Sequence, residues 1–589
     1  MRQAGAGTRE REDSPWLGRR VAPTPSFEAW LSLERAAQAW WPAPSVAIAP
    51  ATAFGAFADW ALHLAMSPAK RAELIELAAR LGWRWWLQLA CESQQPWCVE
   101  PLPQDKRFDD PAWRQVPFAW WAQGLLMRQA WWQCATSAVP GVERHHEEMV
   151  GFAARQWLDM VSPSNWLPTN PVAIKRTLAE GGANLVRGTM HAIDDVWREA
   201  QDLPPAGAER YRVGVEVAAT PGRVVLRNRL MELIQYAPST PTAHPEPVLI
   251  VPAWIMKYYV LDLEPDDSLV RRLVAQGFTV FMISWKNPQA EDRDLGLDDY
   301  HRLGLRAALE AIDRAAPGRG AHVVGYCLGG TLAAAGTAVL ARQRPDALAT
   351  LTLLAAQTDF SDPGELSLFT DESQVAWLES QMARRGFLDK RQLKATFQMI
   401  RSRDLVWSYR LATYLLGERA PVSALMAWNA DGTRLPERMH AEYLRAMYLD
   451  NALARGEWRL DGARVDLRAL RMPLFSVGTV QDHVAPWRSV YRLHQLTDTE
   501  QTFVLTSGGH NVGIVNPPGQ ARSSYRMRTR ARDGLDIAPD EWLATTELRD
   551  GSWWTPWFDW LAAHSSPRRK PVPMLPSLGA APGRYVLEK

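Results

Sequence analysis

Apolar positions recur at helical spacing through the first third of the chain, then give way to short β-type runs that alternate with helical ones. Ala56-Phe57-Ala58-Asp59-Trp60-Ala61-Leu62-His63-Leu64 and Ala72-Glu73-Leu74-Ile75-Glu76-Leu77-Ala78 each place their apolar side chains on one face of a 3.6-residue repeat. Ser67-Pro68 reads as a helix start, because proline is tolerated in the first helical turn. The same spacing predicts helices over 113–139 and 147–161. After a proline-bearing junction at 201–205 the period changes. Strand-like runs fall at 211–217, 224–227, 248–251, 278–283, 321–324, 349–354, 474–477 and 502–505, with helical stretches near 268–276, 297–315 and 331–342. That alternation argues for an α/β architecture, a mainly parallel sheet covered by helices. About 110 mostly helical residues, roughly 359–468, interrupt it between two strands. The expected organisation is therefore a disordered N-terminus over 1–25, a helical N-terminal domain over 26–205, an α/β domain over 206–566 carrying that insertion, and a C-terminal tail over 567–589.

Length and composition narrow this picture. A chain of 589 residues suggests two or three units. With 66 Lys+Arg against 65 Asp+Glu it has no basic excess, which argues against a nucleic-acid binder. No apolar stretch reaches about 18 residues without a charge, so no membrane span is expected. Tryptophan is the outlier, at 29 residues against 13 Tyr and 15 Phe. Pairs such as Trp40-Trp41, Trp85-Trp86, Trp120-Trp121 and Trp131-Trp132 suit core packing, or a surface that meets an apolar phase. The four cysteines are Cys91, Cys98, Cys134 and Cys327. None has metal-like pairing. Cys91 and Cys98 could bridge, but the pattern fits a reduced cytoplasmic protein with three incidental thiols and one catalytic one. No cofactor or metal is called for.

The catalytic thiol is the one in Gly325-Tyr326-Cys327-Leu328-Gly329-Gly330. An apolar strand run precedes this box and a helix-compatible run follows it, the order of the nucleophile elbow in α/β-hydrolase folds, with cysteine in the place usual for serine. The helical insertion would then be a cap that excludes water and shapes an acyl pocket. A nucleophilic cysteine needs a base, and the base needs an orienting acid, in the chain order nucleophile, acid, histidine. Asp482 follows the run at 474–477 and His510 follows the run at 502–505, so both fall on loops past strand ends, where a parallel sheet presents its ligands. His483 competes with His510 but adjoins Asp482 in sequence, and His494 sits in a helical pattern. The expected triad is Cys327, Asp482 and His510. The oxyanion hole is expected to use the backbone N–H of Leu328 and one donor from the loop after residue 251, Trp254 or Ile255.

Taken together, these boxes resemble the polyhydroxyalkanoate synthases, nearest the long single-subunit class I type. The resemblance rests on Lys257-Tyr258-Tyr259-Val260-Leu261-Asp262-Leu263, Phe281-Met282-Ile283-Ser284-Trp285-Lys286-Asn287-Pro288, the Gly325–Gly330 box, Trp428-Asn429-Ala430-Asp431-Gly432-Thr433-Arg434-Leu435-Pro436, Asp482-His483-Val484-Ala485-Pro486-Trp487 and Gly509-His510. N-terminally it rests on Ala112-Trp113-Arg114 and Ser162-Pro163-Ser164-Asn165-Trp166. It implies an acyltransferase that polymerises (R)-3-hydroxyacyl-CoA through an acyl-cysteine, a homodimer, and residence in the cytoplasm at the surface of a polyester granule. The chain departs from the better-known members at Pro252-Ala253-Trp254-Ile255-Met256, where they carry Pro-Pro-Cys-Ile-Asn, so substrate range is not carried over. Two other readings keep the same residues: a thioesterase or polyester hydrolase, and an inactive granule-associated binding protein. The run Arg522, Arg526, Arg528, Arg530 and Arg532 reads as solvated surface, without assigned CoA contacts.

Overall fold

Six apolar strands lie side by side in parallel at the centre of the protein, and Cys327, Asp482 and His510 all follow their carboxyl ends. The computed structural model describes residues 48–90 and 97–589; the expectations for residues 1–25, Trp40-Trp41 and Cys91 lie outside them. The strands are β1 (Gly222–Arg227), β2 (Met231–Tyr236), β3 (Val248–Val251), β4 (Val280–Trp285), β5 (Ala321–Tyr326), β6 (Leu348–Leu354), β7 (Leu474–Thr479), β8 (Gln501–Thr506), β9 (Ser524–Arg530), β10 (Leu548–Asp550) and β11 (Gly579–Ala580). Among the described residues they form one sheet in the order β10-β9-β8-β7-β6-β5-β3-β4-β2-β1-β11. Strands β4, β3, β5, β6, β7 and β8 run parallel, and the outer strands are antiparallel. Every residue of β3, β4, β5, β7 and β8 is buried. Burial on both faces explains why these strands read as continuous apolar runs.

Three departures from the sequence reading have physical causes. Residues 211–217 form a turn closed by a single Val213–Val217 bridge, because Gly214 takes a positive φ. Strand β2 is hidden in the sequence by Glu232 and Gln235, yet both are buried. Glu232 accepts the backbone N–H groups of Arg584 (2.9 Å) and Tyr585 (3.0 Å) from the C-terminal tail, and Gln235 bonds the tail at Pro573 and Leu575. The arginine-rich stretch is strand β9, with Tyr525 paired to Thr506 of β8.

The N-terminal helices are α1 (Pro50–Met66), α2 (Pro68–Ala90), α3 (Phe118–Ala135), α4 (Arg144–Met160), α5 (Pro171–Ala179) and α6 (Ala183–Ala200). They pack against the helical insertion between β6 and β7. Ala56, Trp60, Val139, Met149 and Phe152 share one apolar cluster with Leu368, Phe369 and Ile400 of the insertion. Polar bonds follow the same seam. Arg155 meets Glu365 at 2.9 Å, Asn184 Nδ2 bonds the Leu415 carbonyl at 2.7 Å, and Arg419 spans Asp194 and Asp195 at 2.6 Å each. No helix among the described residues is long and apolar enough to cross a membrane.

Helix α6 approaches the insertion so closely that a Cβ on Gly188 would stand 1.9 Å from the Tyr414 carbonyl oxygen. Gly188→Ala is therefore expected to force the helix off its seat, at a cost of about 1–3 kcal/mol. Gly124→Ala, with open space around its Cβ, should be neutral or slightly stabilising. Calorimetric unfolding and tryptic nicking within residues 183–200 separate the two; equal behaviour would mean that the contact holds nothing in place.

Candidate active site

The sharp turn at Cys327 is built from what its neighbours lack. Helix α7 (Leu328–Gln343) starts immediately after β5, so its first turn abuts the end of β3. A Cβ on Gly329 would lie 2.2 Å from the Val251 carbonyl oxygen and 2.4 Å from that of Pro252. Only glycine allows this approach. Cys327 itself takes φ 52° and ψ −124°, a conformation that costs an ordinary residue about 1–3 kcal/mol. Backbone bonds hold it there: its N–H donates to the Leu354 carbonyl of β6 (2.9 Å), and its own carbonyl accepts from Gly330 (2.9 Å) and Thr331 (3.2 Å). The thiol is buried at this apex.

Asp482 and His510 converge on the same edge of the sheet. Asp482 follows β7 with its side chain fully buried, and its Oδ2 lies 2.7 Å from His510 Nδ1. The other oxygen accepts the N–H groups of Val484 (2.9 Å) and Ala485 (2.8 Å), and Thr479 donates its hydroxyl to Oδ2 at 3.2 Å. Burial opposes the carboxylate, but the His510 charge, its hydrogen bond and the two backbone donors outweigh burial and keep the pKa below the usual range. With Nδ1–H committed to the carboxylate, Nε2 is left for the thiol. Burial would push the imidazole down; Asp482 and then Cys327, by charge and by hydrogen bonding, hold it well above the ordinary histidine value. Such a set can carry a thiolate–imidazolium pair and form an acyl-thioester. His483, the sequence competitor, is exposed, and His494 is buried against the ring of Tyr491 at 4.3 Å.

Several residues that the sequence reading passed over shape this site. Trp553 and Trp554 donate their indole N–H groups to the carbonyls of Gly513 and Ile514, both at 2.9 Å, and so fix the turn that follows His510. Tyr326 leans over the His510 ring at 5.7 Å and donates to Asn511 at 2.5 Å. From the insertion, Tyr443 and Tyr448 come close enough to Cys327 for its charge to join burial in raising both phenol pKa values. The dense tryptophan content and the aromatic spacing within 443–448 were the available signals.

The loop after β3 is gripped from three sides. Trp285 Nε1 donates to the Pro252 carbonyl (2.9 Å), Thr433 to the Trp254 carbonyl (2.9 Å) and Trp428 Nε1 to the Lys257 carbonyl (2.7 Å). Lys257, itself buried, reaches the Glu588 carbonyl at 2.6 Å. The side chain of Trp254 packs on Tyr300 and Tyr443 at 5.2 and 6.2 Å, and its indole N–H has no partner among the described residues. Leu328 opens α7, where a backbone N–H has no intrahelical acceptor. Gly329, next along, touches the start of the loop that carries Trp254 and Ile255.

Two family models match the chain: the poly-beta-hydroxybutyrate polymerase (PhaC) N-terminus over residues 104–273, and the alpha/beta hydrolase fold over 246–517. A poly(3-hydroxyalkanoate) polymerase of Methylorubrum extorquens is 39% identical over 83% of this chain and 82% of its own length. The chain belongs to the poly(3-hydroxyalkanoate) polymerase family. The PhaC subunit of the polymerase from Rhizobium etli is 37% identical over 83% of this chain and 78% of its own length. That from Cupriavidus necator is 36% identical over 82% and 83%. As a polymerase-family chain it keeps the α/β-hydrolase sheet and adds a helical N-terminal region.

Asp482→Asn removes the negative charge that favours protonated His510, so the imidazole pKa must fall. The pH profile of Cys327 alkylation by iodoacetate reads this, because the anionic reagent reacts fastest while the imidazole is still protonated. In wild type the basic limb should lie well above the usual histidine value of about 6.5, and in Asp482→Asn it should shift to lower pH. An unshifted profile would mean that the carboxylate does not act on the pair.

Proposed function

We propose that the chain is a polyester synthase that transfers (R)-3-hydroxyacyl groups from coenzyme A to a growing chain through an acyl-Cys327 intermediate. The observation that carries this reading is His510, held by Asp482 on one side and by the Cys327 thiol on the other. His510 takes the thiol proton and the thiolate attacks the thioester carbonyl. The N–H of Leu328, with a donor at Trp254 or Ile255, stabilises the tetrahedral oxyanion, at about 3 kcal/mol per donor. Coenzyme A leaves as the thiol after taking the proton from His510. The 3-hydroxyl of another unit then attacks the acyl-cysteine; its proton passes to His510, the C–S bond breaks and an oxoester forms. Exchange between two thiols is nearly balanced, whereas thioester to oxoester runs downhill, so elongation is driven by the second step.

Polymerisation over hydrolysis requires that water be kept from the acyl-cysteine. The buried thiol and the aromatic wall of Tyr443, Tyr448 and Phe360 support a dry pocket under a cap formed by residues 359–468. The proposed organisation is thus a helical domain over 26–205, a catalytic domain over 206–566 and a docked tail. We place the protein as a homodimer at a polyester granule in the cytoplasm. The exposed apolar side chains of α1, α2 and α6, among them Phe54, Phe57, Trp83, Trp86, Met190 and Ile193, support contact with an apolar phase.

Cys327→Ala should abolish CoA release from 3-hydroxybutyryl-CoA, and His510→Gln should lower it by about 10²–10⁴-fold. His483→Gln should stay within a few-fold of wild type. Scoring the same reactions for polymer against free acid decides between the readings: polymer supports the synthase, free acid makes this a thioesterase, and no turnover leaves the binding protein.

A further inference from the structure

Far from the thiol, the loops at one end of the sheet enclose a concavity of about 800 Å³, and its chemistry belongs to no part of the acyl-transfer machinery. It is lined by the far end of α7, by the turn at 453–456, by Arg464 of the short hairpin Arg459–Leu460/Ala463–Arg464, and by the turn Leu467–Ala469 that leads into β7. Arg342 stands 14 residues along α7 from Leu328, which at 1.5 Å per residue is about 21 Å from the elbow. The cavity therefore opens at the amino ends of the central strands, opposite the edge that holds Cys327.

Five arginines line it: Arg342, Arg455, Arg464, Arg468 and Arg471. Asp466 is the single carboxylate of the lining, and its oxygen accepts the backbone N–H of Arg468 at 3.0 Å, not a guanidinium. Nearby acids do little for the rest. Arg455 faces Glu457 at 3.6 Å and Arg468 faces Asp498 at 3.9 Å, all four side chains more than half exposed, and such pairs contribute little. The Arg464 guanidinium is turned across the cavity onto the Gly456 carbonyl. The guanidiniums of Arg342 and Arg471 have no hydrogen bond or ion pair among the described residues. Five guanidiniums against one carboxylate give the lining itself a formal charge of +4, and all five arginines are exposed, so an anion can reach them from solvent.

The floor of the same hollow is apolar, formed by Ala341, Leu453, Leu467 and Leu496. Its volume falls in the range of small-molecule sites, roughly 300–1,000 Å³. Guanidinium is the side chain best matched to phosphoryl oxygens, which it bonds in pairs, and its plane also stacks on ring systems. We propose that this cavity is a binding site for a small molecule carrying two or more phosphoryl groups beside a less polar moiety, that is, a nucleoside di- or triphosphate. The adenosine phosphate portion of coenzyme A shares this chemistry, so the two sources must be separated by experiment.

The test uses the full-length protein in calorimetric titrations with ATP, with coenzyme A and with inorganic pyrophosphate. Wild type should bind ATP and pyrophosphate at one saturable site per chain, and the R342Q/R468Q/R471Q variant at least tenfold more weakly, with CoA release from 3-hydroxybutyryl-CoA in the absence of ATP unchanged. If coenzyme A binding also weakens tenfold in the variant, the site accepts either source; if only ATP binding weakens, free nucleotide is the ligand. Equal ATP affinity in wild type and variant, or the lack of any saturable heat, overturns the proposal. Should the triple variant fail to fold, R342K/R471K keeps the charge but loses the paired geometry; it should bind at least threefold more weakly, and unchanged affinity there would also overturn it.

Discussion

The close approach of α7 to the end of β3 is the constraint on which the remaining structure depends. Because Gly329 lies against the Val251 and Pro252 carbonyls, the helix can begin one residue after Cys327. Cys327 is thereby forced into a positive φ at the apex, and the strain is balanced by backbone bonds to β6 and to the first turn of α7. The same approach brings Leu328 beside the loop bearing Trp254 and Ile255. A side chain at residue 329 would lift the helix, move the thiol away from His510 and part the two candidate oxyanion donors in one displacement.

The edge that brings Asp482 and His510 together beside Cys327 is stiffened by several other groups. Asp482 is held by three donors besides His510, and the turn after His510 is held by two indoles reaching from the segment that opens α8 (Trp554–Ala563). Trp557 in α8 bonds Thr352 of β6 at 3.1 Å, so the histidine turn is referenced to the strand beside the elbow. Above this edge the insertion is tied to the N-terminal helices by an apolar cluster and several ion pairs. Movement of the tyrosines near Cys327 is therefore mechanically linked to helices that expose apolar side chains to their surroundings.

Much of this was legible in the sequence because the central strands are buried on both faces and so lack alternation. The eight β-type runs included the six strands of the parallel core; the elbow box pointed to Cys327, and strand-end placement with chain order pointed to Asp482 and His510, the two that the structure brings to 2.7 Å. What escaped were features fixed by tertiary partners. Strand β2 carries Glu232 and Gln235, whose polarity is satisfied largely by the returning tail, 340 to 353 residues later. The stretch 211–217 has strand-forming residues but ends in a glycine-closed turn. Tyr443 and Tyr448 look like ordinary helix positions until the insertion folds over the elbow. The possible Cys91–Cys98 bridge involves a residue outside those described.

The loop after β3 shows how the site can vary without moving. Its backbone is fixed through the carbonyls of Pro252, Trp254 and Lys257 and through the Lys257 ammonium bound to the tail. None of those bonds uses the side chain of residue 254 or 256, the two positions where this chain carries Trp and Met in place of the family's more familiar Cys and Asn. The Trp254 ring extends against Tyr443, one of the two tyrosines near the thiol, and leaves a buried indole N–H unpaired, a state that costs about 1–3 kcal/mol if nothing meets it. If the site takes the acyl group proposed above, the departure changes the volume and polarity of its wall while the loop backbone stays in place. Chain-length preference in this protein should accordingly be sought at the contact between Trp254 and the cap rather than in the triad.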